Sequence, residues 1–198
     1  MKQIANIHYE IADTPEMILA AKQLCHDVYL GHGYIDHPYT GKIIPNNSDE
    51  TAVYFVALTD DREVVGTIRL NLGQFFDTLK AWGNKIYAGS RQRIEQLLHT
   101  HCFEIGALAV NKSYATQKIS WGLYRAIYHY ALCAHLDYGI ISMDARALRS
   151  MEMLGWKVER IGEPMDYFGS LTIPGIMPVN QQLHAIALKN APYYKYVA

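Results

Sequence analysis

Residues 103–127, FEIGALAVNKSYATQKISWGLYRAI, constrain this chain more than any other stretch. An apolar run breaks into a polar connection, and the backbone then re-enters a helix. In that helix Ile119, Leu123, Ile127 and Ala131 recur at every fourth position, which makes one apolar stripe. Period-two alternation of the run puts Ile105, Ala107 and Ala109 on one face. Glu104, Gly106, Leu108 and Val110 fall on the other. Leu108 and Val110 make the second face apolar too, which sets Glu104 at the edge of a buried face.

The other elements follow from similar signals. QIANIHYEIA (3–12) alternates like a strand, and Thr14 can cap a helix that takes Pro15 in its first turn and ends near Gly31 or Gly33. Residues 34–50 are rich in turn formers, and a loop of that length in a compact domain is often functional. TAVYFVALTDDREVVGTIRLNLG (51–73) reads as a hairpin around TDDRE, with amphipathic helical material following to about His99. YGIISMD (138–144) reads as a short buried strand, and ARALRSMEMLG (145–155) as a helix closed by Gly155. WKVERIG (156–162) and QLHAIALK (182–189) read as final strands, with TIPGIMP (172–178) as a Pro/Gly loop between them. This order describes one mixed α/β domain over 1–198 with a central, partly antiparallel sheet.

Composition narrows the function classes. A chain of 198 residues, half of them hydrophobic, can bury about 70% of its unfolded surface without staples. Its net charge of -1 argues against a generally basic nucleic-acid binder. Cys25, Cys102 and Cys133 are far apart, so they read as reduced, buried thiols. The first residues lack a continuous apolar stretch, and no run approaches the roughly 18 apolar residues of a membrane span. The expectation is a cytoplasmic protein. The nine histidines form no H-x-x-x-H or H-E-x-x-H arrangement, so no metal site is expected.

Two side chains stand out against their surroundings. Glu104 either faces solvent, as one face of an alternating strand can, or sits at the edge of a buried face, where lost solvation pushes a carboxylate toward use as a general base; the second reading makes it the candidate catalytic residue. Arg69, in the apolar GTIRL strand, needs a partner. That partner is either a substrate carboxylate held by two parallel hydrogen bonds or an acid of the protein, Glu104 included. Gly106 inside its strand suggests a bulge or a close backbone approach. At the helix start, the unpaired N–H groups attract phosphate or carbonyl oxygens, and small Ser120 and Gly122 leave room for a ligand; ordinary packing explains the same two residues. Cys102 and His101 read as a structural thiol and a surface or packing histidine.

LAVNKSYATQKISWGLYRAI (108–127) resembles the acyl-CoA loop of the GNAT superfamily of N-acetyltransferases, a strand followed by R/Q-x-x-G-x-G/A and a helix. Gln117, Ser120 and Gly122 take the motif positions, and Ser120 replaces the middle glycine. DARALRSMEMLGW resembles a later motif of that superfamily, with Asp144 in place of the usual Asn and Met151 in place of the frequent general-acid Tyr. Leu154, Gly155 and Trp156 match its end. EVVGTIRL with FEIGALAV is similar to the acyl-homoserine-lactone synthases, although Ala107 replaces their arginine and their E-x-D-x-x-D run is absent. With VYLGHGYI, the chain looks closer to the long-chain N-acyl amino acid synthases over about Val28 to Leu188.

The resemblance implies a GNAT-like fold whose central, mostly antiparallel sheet is flanked by helices. It implies transfer of an acyl group from an acyl carrier protein thioester to the α-amine of an amino acid. Acyl-phosphopantetheine, or acyl-CoA, would be a donor substrate rather than a permanently bound cofactor. Glu104 would take the proton, directly or through water, and Arg69 and Tyr34 would bind the acceptor. Leu108, Val110, Gln117, Lys118, Ile119, Ser120, Trp121 and Gly122 would hold the donor, with oxyanion-stabilising N–H groups near 108–110. The acidic carrier would dock on basic residues, for which Lys112, Lys118, Arg125, Arg146 and Arg149 are candidates. The acyl chain would lie among the aromatics of residues 28–39 and 164–177. A homoserine-lactone synthase, a CoA-dependent acetyltransferase and a non-catalytic thioester-binding module stay open as alternatives.

Overall fold

The computed structural model describes residues 6–45, 49–73, 75–153, 155–180 and 182. Strands β1 (His8–Ile11), β2 (Ala52–Leu58), β3 (Val64–Asn71), β4 (Cys102–Val110), β5 (Tyr138–Asp144), β6 (Glu159–Arg160), β7 (Met165–Tyr167) and β8 (Ser170–Pro178) form one sheet. Its order is β1-β2-β3-β4-β5-β8-β6, with β7 also on β8. Every pairing is antiparallel except β4 with β5.

Alternation along β2 decides which helix packs where. Tyr54, Val56 and Leu58 face α1 (Pro15–Gly31), while Phe55 and Ala57 face α4 (Ile119–Cys133). Helix α1 begins as its sequence predicts, with Pro15 in the first turn and the Thr14 hydroxyl accepting the Met17 N–H at 3.2 Å. The stripe of α4 is fully sequestered: Ile119, Leu123, Ile127 and Ala131 are each at most 1% exposed. Helices α2 (Asp77–Trp82) and α3 (Ala88–Leu98) fill the stretch between β3 and β4, and α5 (Ala145–Met153) follows β5. Among the described residues no helix is long and apolar enough to cross a membrane, and no cluster of side chains could hold a metal ion.

Three sequence expectations need correction. TIPGIMP is not a loop but the body of β8, paired with β5 from Tyr138↔Pro178 to Asp144↔Thr172. Pro174 is tolerated because its missing N–H points away from β5, toward the side where its carbonyl accepts the Ile161 N–H at 3.2 Å. Only two residues of WKVERIG form β6, since that edge meets β8 over Glu159 and Arg160 alone. Cys133 is exposed rather than buried, because it sits on the outer face of the last turn of α4. The QLHAIALK strand and Leu154 lie outside the described residues, apart from Gln182.

The faces of β4 also differ from simple alternation. Arg69 pairs with Gly106 and Thr67 with Ala109, so Ala107 and Leu108 together oppose Ile68 in a bulge. Ala107 takes a left-handed φ of 52°, which costs an L-residue about 1 kcal/mol. The extra residue reverses the parity downstream. Leu108 and Val110 therefore join Phe103 and Ile105 on the α4 side instead of sharing the face of Glu104. The bulge anticipated at Gly106 falls one position later.

Candidate active site

Strands β4 and β5 pair only from Cys102↔Tyr138 to Ile105↔Ile141. Both then continue, β4 to Val110 and β5 to Asp144, without pairing to each other. This parting, reinforced by the bulge at Ala107, opens the sheet. On the α1 side lies a cavity of about 640 Å³, and on the α4–α5 side one of about 230 Å³. Leu108, Tyr124 and Ala147 line both, so they mark the passage between the two faces.

Polar groups gather at one wall of the larger cavity. Arg69 is 6% exposed, and its Nη2 donates to Asp77 Oδ2 at 2.6 Å. The acid partner of Arg69 is thus Asp77, not Glu104. Burial alone would lower the guanidinium pKa, but the hydrogen bond and charge of Asp77 carry it above its ordinary value. The buried Nε of Arg69 has no hydrogen-bond partner. Glu104 is 2% exposed and closes the start of α2: Oε1 accepts the Thr78 N–H at 2.6 Å and Oε2 the Asp77 N–H at 3.0 Å. Asn71 Nδ2 donates to the same Oε2 at 3.4 Å.

Aromatic rings make a second wall. Tyr34 and Phe168 meet Tyr29 edge-on at 5.5 and 5.6 Å, and Tyr167 meets Phe168 at 4.5 Å. Burial pushes the Tyr167 phenol up to about 12, helped by the negative charges of Asp77 and Glu104 and opposed by Arg69. Tyr29 is raised well above 10.0, also chiefly by burial. Both hydroxyls stay protonated near neutrality and can donate to a ligand oxygen.

The predicted site residues separate into two groups. Glu104, Arg69, Tyr34 and Leu108 line the larger cavity, and Leu108, Ser120 and Trp121 line the smaller one. Ile119 and Val110 pack into the hydrophobic core instead. A Cβ at Gly122 would lie 2.0 Å from Tyr9 Cζ, so its missing side chain makes room for Tyr9. Lys118 is exposed, with a left-handed φ of 54° just ahead of α4, and the Gln117 Oε1 beside it is buried without a hydrogen-bond partner. Met151 lines the smaller cavity. Cys102 is buried, with a thiol pushed up to about 12 by desolvation. His101 lies at the surface, where Nδ1 donates to the His135 carbonyl at 2.8 Å.

Asp77 and Thr78 were not legible as site residues, whereas Tyr29 and Tyr167 fall within the aromatic segments 28–39 and 164–177. Asp77 and Thr78 begin a short helix that carries no motif. An acid eight residues after a buried arginine was the only available signal.

The sequence profile of the family described as N-acyl amino acid synthase FeeM matches residues 20–177. The chain belongs to this family. Membership makes it an acyltransferase that forms N-acyl compounds. Comparison with curated proteins finds no match. Among solved structures, the CoA-dependent acyl-homoserine lactone synthase BjaI, solved with SAM and isopentyl-CoA, superposes with a TM-score of 0.71 at 18% identity. That match covers 94% of this chain and 90% of BjaI. FeeM itself, from uncultured soil microbes, gives 0.64 at 18% identity over 88% of this chain and 92% of its own. The acyl-homoserine lactone synthase LasI gives 0.67 at 16% over 89% and 91%. At these identities the likeness shows a common GNAT-like fold, with its mostly antiparallel sheet flanked by helices.

Proposed function

We propose that this family member moves a long-chain acyl group from an acyl carrier protein thioester to the α-amine of an amino acid. The observation that carries the proposal is the passage through the parted strands: Leu108, Tyr124 and Ala147 connect a slot beside the first turn of α4 to a cavity whose wall holds Arg69, Asp77 and Glu104. Phosphopantetheine enters along Ser120 and Trp121, beside Gln117 and Lys118. Its thioester reaches the gap beside Leu108. There the unpaired edge of β4 offers N–H groups to the oxyanion of the tetrahedral intermediate. The acyl chain lies against the apolar wall of the larger cavity, and the acceptor faces Arg69 and Tyr34.

Most of an α-amine is ammonium at neutral pH, and only its free base attacks a carbonyl. A carboxylate of the Glu104–Asp77 pair removes that proton. The nitrogen then bonds to the carbonyl carbon, the C–S bond breaks, and the thiolate departs with a proton. No covalent enzyme intermediate is required. The carrier docks on exposed Lys112, Lys118, Arg146 and Arg149, which surround the smaller cavity's mouth by position on the 112–118 turn and α5. Arg125 is half-buried, so it is left out of that surface. A carrier-bound donor places the reaction in the cytoplasm.

The test offers acyl carrier protein and CoA thioesters of acetyl, decanoyl and dodecanoyl groups with the amino acids and with S-adenosylmethionine, reading products by mass spectrometry. An N-acyl amino acid from the carrier-bound long chain is the expected product. Turnover of acetyl-CoA alone, or lactone formation alone, would overturn the proposal. Reversing charge at Arg146 and Arg149 together should weaken the carrier donor while leaving the CoA donor unaffected.

A further inference from the structure

Two carboxylates share the polar wall, and they are not equivalent. Both oxygens of Glu104 already accept N–H groups of the fold, from Thr78 on Oε1 and from Asp77 and Asn71 on Oε2. Both are thus engaged by the fold, and Glu104 is only 2% exposed, so an acceptor ammonium has little access to them. The Asp77 side chain is 23% exposed, lines the cavity, and stands against an Arg69 side chain that is 7% exposed.

We propose that Asp77 binds the acceptor's ammonium and accepts its proton, while Glu104 is a positioning residue that anchors the start of α2. This assignment rests on the acyl-transfer reading and names which member of the pair acts. The buried, unpartnered Nε of Arg69 supplies a second reason. An amino acid is a zwitterion, and adjacent Arg69 and Asp77 present its two complementary charges. The α-carboxylate takes the open edge of the guanidinium, and this brings the α-ammonium to the neighbouring aspartate. An amine without a carboxylate would satisfy only half of that wall.

The charged and titratable groups around Asp77 come from several elements. Arg69 lies on β3, Glu104 on β4, Tyr167 on β7, Lys22 on α1 and Lys80 on α2 itself. Arg69 fixes Asp77 Oδ2, so the carboxylate keeps one orientation when the substrate arrives. One ammonium proton passes to Asp77 and then to water. The second leaves the nitrogen as the tetrahedral intermediate collapses, and the departing thiolate takes it up.

The experiment pairs ordinary acceptors with aminooxy analogues whose nitrogen is already unprotonated at neutral pH. Glycine is compared with aminooxyacetate and L-phenylalanine with L-2-aminooxy-3-phenylpropionate, using dodecanoyl thioesters. Asp77→Asn should lower kcat/KM for the amino acids about 100-fold, the lower end of what a general base contributes. The aminooxy acids should remain within a few-fold of wild type. Glu104→Gln should depress both acceptor classes together and lower the melting temperature. Equal losses for both classes in Asp77→Asn, or a selective loss in Glu104→Gln instead, would overturn the assignment. Circular dichroism and the Asp77→Ser variant guard against a folding defect. If wild type acylates no amino acid and no aminooxy acid, the acyl-transfer reading itself falls, which is a separate result.

Discussion

The Glu104 carboxylate accepts the backbone N–H of Thr78 at 2.6 Å, and with the neighbouring bond from the Asp77 N–H this ties the central strand β4 to the first turn of α2. Because that turn carries Asp77, the contact also determines where the acid partner of Arg69 stands. A buried strand carboxylate here builds the cavity wall.

Arg69→Lys should raise the KM for the amino acid about tenfold, equivalent to about 1.4 kcal/mol, with the donor KM unchanged. A lysine keeps the charge but not the fork. Arg69→Met should also destabilise the fold by about 3 kcal/mol in urea unfolding, since it strands Asp77 beside a buried wall. That is the low end of the range, because Asp77 retains 23% exposure.

Gly122→Ala should lower stability by about 1–3 kcal/mol through overpacking against Tyr9, whose ring carbon would be 2.0 Å from the new methyl. Donor KM should not change. The double variant Tyr9→Ala with Gly122→Ala should show less than the sum of the two losses, measured in a double-mutant cycle.

Ala147→Phe should obstruct the passage, since Ala147 lines both cavities. The expected result is a donor KM raised about tenfold with the amino acid KM unchanged, read by steady-state kinetics.

Burial pushes the thiols of Cys25 and Cys102 up to about 12, whereas Cys133 is exposed. Below the ordinary 9.0 these buried thiols are protonated in both folded and unfolded chains, so their contribution to stability is complete. As pH rises from 9.0 toward about 12 the unfolded chain ionises first, and stability falls. Urea midpoints should therefore drop above about pH 9, and less so in Cys25→Ser with Cys102→Ser. In native protein at about pH 8, a thiol reagent should label Cys133 quickly and the other two only after unfolding.

Local patterning made much of this protein legible. The four-residue stripe of α4, the 51–73 hairpin and the Thr14–Pro15 helix start depend on neighbours in sequence, and each stands where its residues predict. The same holds for the apolar surroundings of Arg69 and Glu104, because a charge inside a β-rich run must find a partner wherever the strand lies. TIPGIMP misled because Pro and Gly usually break strands. Here Gly175 lets β6 approach, since a Cβ there would lie 2.4 Å from Val158 Cγ1.

The amino-acid order by itself determined the striped helix α4, the capped start of α1 and the 51–73 hairpin, and that two charged side chains would be drawn into the apolar sheet. Tertiary structure alone decided that Asp77 would meet Arg69, that β4 and β5 would part beyond Ile105 and Ile141, and that one bulged residue would turn Leu108 and Val110 to the α4 side. The reason is register. A hydrogen-bonded ladder can gain a residue on one strand without changing any local propensity, yet that gain reassigns every side chain beyond it.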